Sequence, residues 1–93
     1  MNTKKTSKAT KETLPIERIQ TGIRLEKKLV KVLKGLAEYQ DISLGELIEL
    51  ISLHALEREH AFAPDSLPLV KKMKEVYGMN YDVHAYEKFI EQE

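Results

Sequence analysis

Eight residues, Arg18 to Leu25, alternate strictly between two faces, and no other stretch of the chain does so convincingly. Ile19, Thr21, Ile23 and Leu25 fall on one side, and Arg18, Gln20, Gly22 and Arg24 on the other. A period of two predicts a half-buried strand. A solitary strand exposes unpaired backbone donors and acceptors, and those need a partner. The sequence offers no second strand, so the expected partner is the same segment of another copy. The expectation is an obligate homodimer.

After Leu25 the period becomes helical. Leu29, Val32, Leu33, Leu36 and Ala37 form an apolar stripe, with Lys27, Lys31, Lys34 and Glu38 away from it. This predicts a helix from about Glu26 to Tyr39, then a short turn at Gln40-Asp41-Ile42. Ser43-Leu44-Gly45-Glu46 has the spacing of a capping box, with Ser43 at the N-cap of a second helix. That helix carries Leu47, Ile48, Ile51 and Ala55 on one side, widened by Leu44, Leu50, Leu53, His54 and Leu56, and should end near His60–Phe62. A helix apolar over so much of its circumference must be covered on more than one side, which again points to a dimer. Further on, Asp65 or Ser66 could cap a third helix bearing Leu67, Leu69, Val70, Met73, Val76 and Tyr77, closed by Gly78. Asp82 could cap a fourth with Val83, Tyr86, Phe89 and Ile90 on one side.

Three domains of behaviour follow. Residues 1–13 hold Lys, Thr and Ser with almost nothing apolar, which predicts a flexible basic arm. Residues 14–62 carry the strand and the helical hairpin, and 63–93 form a C-terminal helical extension. The net charge of zero hides a division. Residues 1–34 hold ten Lys and Arg against three Glu, a net of +7, and the rest of the chain carries −7. Such asymmetry hints at nucleic acid or a membrane surface on one side. The chain has no cysteine, which excludes disulfides and thiolate metal sites and fits a reducing cytoplasm. It has no apolar run near the roughly 20 residues of a membrane span, and Met1-Asn2-Thr3-Lys4-Lys5 lacks a secretory apolar stretch. Cytoplasmic location is the expectation.

One strand, a helix, a short turn and a capped second helix, with a basic approach, resembles the ribbon-helix-helix family, the MetJ/Arc class of bacterial repressors. The resemblance rests on Arg18-Ile19-Gln20-Thr21-Gly22-Ile23-Arg24-Leu25, Leu29 to Ala37, and Ile42-Ser43-Leu44-Gly45-Glu46-Leu47-Ile48, and covers roughly residues 18 to 60. It implies a mainly α fold with one short β-strand: an intertwined homodimer whose two strands pair as an antiparallel ribbon backed by four helices. Such a ribbon fits the major groove of double-stranded DNA. The resemblance therefore implies a sequence-specific transcriptional regulator of bacterial or phage type, acting as a repressor without metal or other cofactor. Base reading would fall to Gln20, Gly22 and Arg24. Phosphate contacts would fall to Ser43, Leu44 and Gly45 at the second helix's N-terminus, with Lys27 and Lys28 adding salt-sensitive ones.

Gly22 departs from that pattern, because the family usually places a side chain at the middle groove-facing position. Readout then rests on Gln20 and Arg24, or the backbone approaches the bases more closely. Thr21 is also less apolar than an inward face prefers. Each of these residues has a plainer reading as ordinary solvated surface, and Ser43 with Glu46 is fully explained as a helix cap. His54, His60 and His84 have no metal-ligand spacing, and no phosphate loop, nucleophile elbow or carboxylate pair is present, so no enzyme is expected. The alternative function is an antitoxin-like dimer whose residues 64–93 engage a protein partner.

Overall fold

Lys27–Gln40 forms helix α1, the central element of the fold, with α2 (Leu44–Leu56) on one side and α3 (Leu67–Val76) on another. The computed structural model describes residues 12–92, so the expected basic arm lies almost wholly outside the described residues. Two 3-10 helices complete the order, Pro64–Ser66 leading into α3 and Val83–Lys88 near the end. No helix among the described residues is long and apolar enough to cross a membrane.

The expected β-strand is absent. Residues 12–26 are irregular and exposed up to Leu25, and no strand or sheet occurs among the described residues. The ribbon-helix-helix architecture, with its intermolecular two-stranded ribbon, is therefore corrected to an all-helical fold with an irregular N-terminal approach. The physical reason lies in what alternation specifies. It sets which side chains share a face, but a strand also requires a ladder of backbone hydrogen bonds, and nothing among the described residues supplies one.

Local chemistry explains the helix ends. Glu26 is the N-cap of α1, its carboxylate accepting from Leu29 N–H at 2.9 Å. At the other end Asp41 takes a left-handed conformation (φ 62°), and Ile42 N–H returns to the Ala37 carbonyl at 3.0 Å. The capping box of α2 is complete: Ser43 Oγ accepts from Glu46 N–H at 3.0 Å, and Ser43 N–H donates to Glu46 Oε1 at 2.8 Å. This helix stops at Leu56, short of the expected His60–Phe62. Arg58 adopts φ 60°, and Glu59 N–H folds back onto the His54 carbonyl at 2.8 Å. Gly78, at φ 69°, closes the α3 end as expected, with Met79 N–H bonded to the Lys74 carbonyl. The expected fourth helix is a six-residue 3-10 turn, capped by Asp82 through His84 N–H at 3.0 Å.

The core is small. Val32, Leu36 and Ala37 of α1 and Leu47 of α2 are the buried hydrophobics, packed against Leu33, Ile42, Ile51, Phe62, Leu69, Val70, Met73 and Met79. Gly35 lets α3 come close to α1, since a β-carbon there would sit 3.0 Å from Met73 Sδ. Residues 67–79 thus belong to the folded body. Its radius of gyration, 15.2 Å, exceeds the roughly 12 Å of a compact domain this long. The excess matches the surfaces left open. Leu50, Leu53 and Leu56 line the outer side of α2, and Leu14, Ile16, Ile19 and Ile23 stand out along the approach segment. Ala55, expected inward with Leu47, is exposed.

One long-range hydrogen bond ties the end of the chain to its beginning. The half-buried Tyr81 hydroxyl donates to Glu26 Oε1, across 55 positions of sequence. Desolvation, and then this bond, push the Tyr81 phenol up to about 12. The bond from Tyr81 is also the first cause holding Glu26 below its ordinary value. A phenol raised in the folded state contributes stability that is full below its ordinary value near 10. That contribution is lost as pH rises through about 12. Glu26 contributes with the opposite sign, above its ordinary value and lost as pH falls through the lowered one. We expect Tyr81→Phe to lower stability at pH 7 by about 1 kcal/mol and to flatten the loss above pH 10, read from urea denaturation at stepped pH.

Candidate functional site

The candidate residues divide between the two ends of α1. Gln20, Gly22 and Arg24 lie on the exposed approach segment, and Lys27 and Lys28 open the helix. Ser43, Leu44 and Gly45 follow its far end, beyond 14 residues of helix. At 1.5 Å per residue that separation is about 20 Å. Within one chain Lys27 and Lys28 are therefore held apart from Ser43, Leu44 and Gly45. Ser43 spends its side chain and backbone amide on the capping box, and Leu44 is half-buried. Gly22 meets nothing within 4 Å of where a β-carbon would stand. No packing among the described residues requires glycine there.

What the structure does bring together is a row of cations. Lys27, Lys31 and Lys34 recur at four and three residues, so they fall within one narrow sector of α1. Val32 and Leu36 occupy the opposite, buried side. Lys28 flanks the row, Arg24 lies three residues before the helix start, and all five residues are exposed. Among the described residues, none of the four lysines enters an ion pair. Glu26 is the carboxylate within the row, and it is engaged by Leu29 N–H and the Tyr81 hydroxyl. Glu38 ends the row.

The two arginines of the approach segment are paired. Arg18 grips Glu49 of α2 bidentately, through Nε at 2.8 Å and a terminal nitrogen at 2.9 Å, which pins the segment against that helix. The Arg18 hydrogen bond also holds the Glu49 carboxyl below its ordinary value. Arg24 pairs with Glu91 near the chain end, and the Arg24 side chain is still 82 % exposed. Sequence reasoning missed both carboxylate partners and missed Tyr81. No local pattern signals a contact across 31, 55 or 67 positions.

A second concave feature lies apart from this row. It is an open cleft of about 900 Å³ between α3 and the final 3-10 helix, lined by Leu67, Val70, Lys74, Met79 and His84 among others. None of the candidate residues named from the sequence lines it. His54 is half-buried on α2, with Nδ1 2.9 Å from the Leu50 carbonyl one turn back.

Comparison with family models, curated proteins and solved structures gives no match for this chain.

Proposed function

We propose that this protein binds double-stranded DNA as a dimer, with the basic side of α1 and the approach segment facing the duplex. The observation that carries the reading is the row Arg24, Lys27, Lys28, Lys31 and Lys34. It is exposed throughout, and Lys27, Lys31 and Lys34 stand opposite Val32 and Leu36 of the core. A row of cations matched to a polyanion supplies sequence-independent affinity through counterion release. Specificity would come from the side chains able to reach base edges: Arg24, bidentate to guanine, and Gln20, bidentate to adenine. Steric occupation of a regulatory site is the simplest consequence, so a repressor-like role fits.

Support for the dimer comes from burial. Four buried hydrophobics among the described residues are too little core to hold a domain of this size firmly. The exposed leucines of α2 supply a surface for a second copy to cover. A second reading has its own observation. Val83, Tyr86 and Ile90, 71 to 86 % exposed, stand out from the C-terminal segment, an arrangement suited to a protein partner. Since α3 packs on α1, that reading would concern residues beyond α3 and not a whole unfolded tail.

Selection of bound duplexes from a random pool, at stated salt, tests the proposal. Enrichment of a two-fold-symmetric site is expected from a dimer that reads bases. Uniform retention of all duplexes would limit the reading to backbone binding, and retention of none would end it.

A further inference from the structure

The end of the chain lies over the junction between the approach segment and α1. Two contacts from the same C-terminal stretch reach two neighbouring residues: Tyr81 bonds Glu26, and Glu91 pairs with Arg24. The stretch between them is held by its own aromatics. The Tyr81 and Phe89 rings meet edge to face at 5.1 Å, and Tyr86 lies 5.5 Å from Phe89. Phe89 therefore fixes the chain two residues before Glu91. The carboxylate that results stands on the guanidinium that the proposed function assigns to DNA.

We infer that residues 81–91 form an autoinhibitory latch, in which Glu91 occupies Arg24 and must be displaced before Arg24 can engage DNA. The inference rests on the DNA-binding reading. Its chemistry is competition between two anions for one guanidinium. A guanidinium fork takes a carboxylate and a phosphate or a guanine edge with the same donors, so one excludes the other. The Arg24–Glu91 pair is solvent-exposed on both sides, so the latch is weak and easily released. Tyr81 holds the stretch in place through Glu26, and is a positioning residue.

Glu91→Gln keeps size and Phe89 packing and removes the competing charge. In the full chain it should tighten binding of a duplex oligonucleotide about two- to fivefold at low salt, with the difference narrowing as salt rises. Glu87→Gln is the control, an equal change of charge on the preceding 3-10 helix with no ion pair to Arg24. A gain of the same size from Glu87→Gln overturns the latch, because general charge then accounts for the effect. A readout without DNA separates this inference from the reading beneath it. The NMR signal of Arg24 Nε–H should shift in Glu91→Gln and stay in place in Glu87→Gln. An unmoved signal overturns the latch alone. Absence of duplex binding by wild type and variant alike, with the signal shifted, overturns the DNA reading and with it the inhibitory role.

Discussion

Replacing Leu47 with alanine should cost about 3 kcal/mol or more, over half of the protein's stability. Leu47 is 0 % exposed and is the largest fully buried side chain among the described residues. Leucine-to-alanine changes at such sites cost about 2–5 kcal/mol, because the cavity left behind adds to the lost transfer energy. A domain's whole stability is about 5–15 kcal/mol, and a core of four buried residues belongs at the bottom of that range. Urea denaturation followed by circular dichroism measures the loss. Leu53→Ala, on the open side of α2, is the informative companion. A cost within about 0.5 kcal/mol is what an exposed position gives. A cost of about 2 kcal/mol or more is what a position covered by a second copy gives.

The other large effect falls on binding. Substituting Lys27, Lys31 and Lys34 together by alanine should leave the helix intact, since alanine is the better helix former. Each phosphate-contacting lysine contributes about 0.9 to the logarithmic salt slope. Losing three per chain should weaken duplex binding by at least about 10²- to 10³-fold near 0.1 M salt, and by more where both chains of a dimer contact the duplex. Fluorescence anisotropy of a labelled duplex measures this directly, with thermal melting as the check on fold. An affinity within about threefold of wild type would mean that the row is only a solvated face of α1.

Much of the helical frame was legible because its signals are local. Ser43 and Glu46 lie three residues apart and cap each other, and both bonds are present. Gly78 follows the last apolar residue of α3 and takes the positive φ that favours glycine. The early end of α2 was not legible, because it turns on Arg58, a residue type with no preference for a left-handed conformation. The 3-10 form of the last helix is illegible for a different reason. Val83, Tyr86 and Phe89 recur every three residues, a spacing that serves either helix.

The strand is the instructive error. Ile19, Thr21, Ile23 and Leu25 alternate as a strand's residues do, yet all four are exposed in irregular chain. Alternation describes side chains, while a sheet is made by backbone partners. The candidate site was half legible in the same way. The lysines of α1 were visible from their spacing away from the apolar stripe. The contacts that qualify them, Glu26 with Tyr81 and Arg24 with Glu91, join distant positions and leave no trace in a local pattern.

The salt dependence of duplex binding by the full chain tests the central claim most directly. Titration from 50 to 300 mM salt, with affinity plotted logarithmically, should give a line with a slope of about −3.6 per chain, as expected for four phosphate-contacting lysines. Absence of binding at 50 mM salt, or a slope shallower than about −1, would contradict the assignment of Arg24, Lys27, Lys28, Lys31 and Lys34 to DNA.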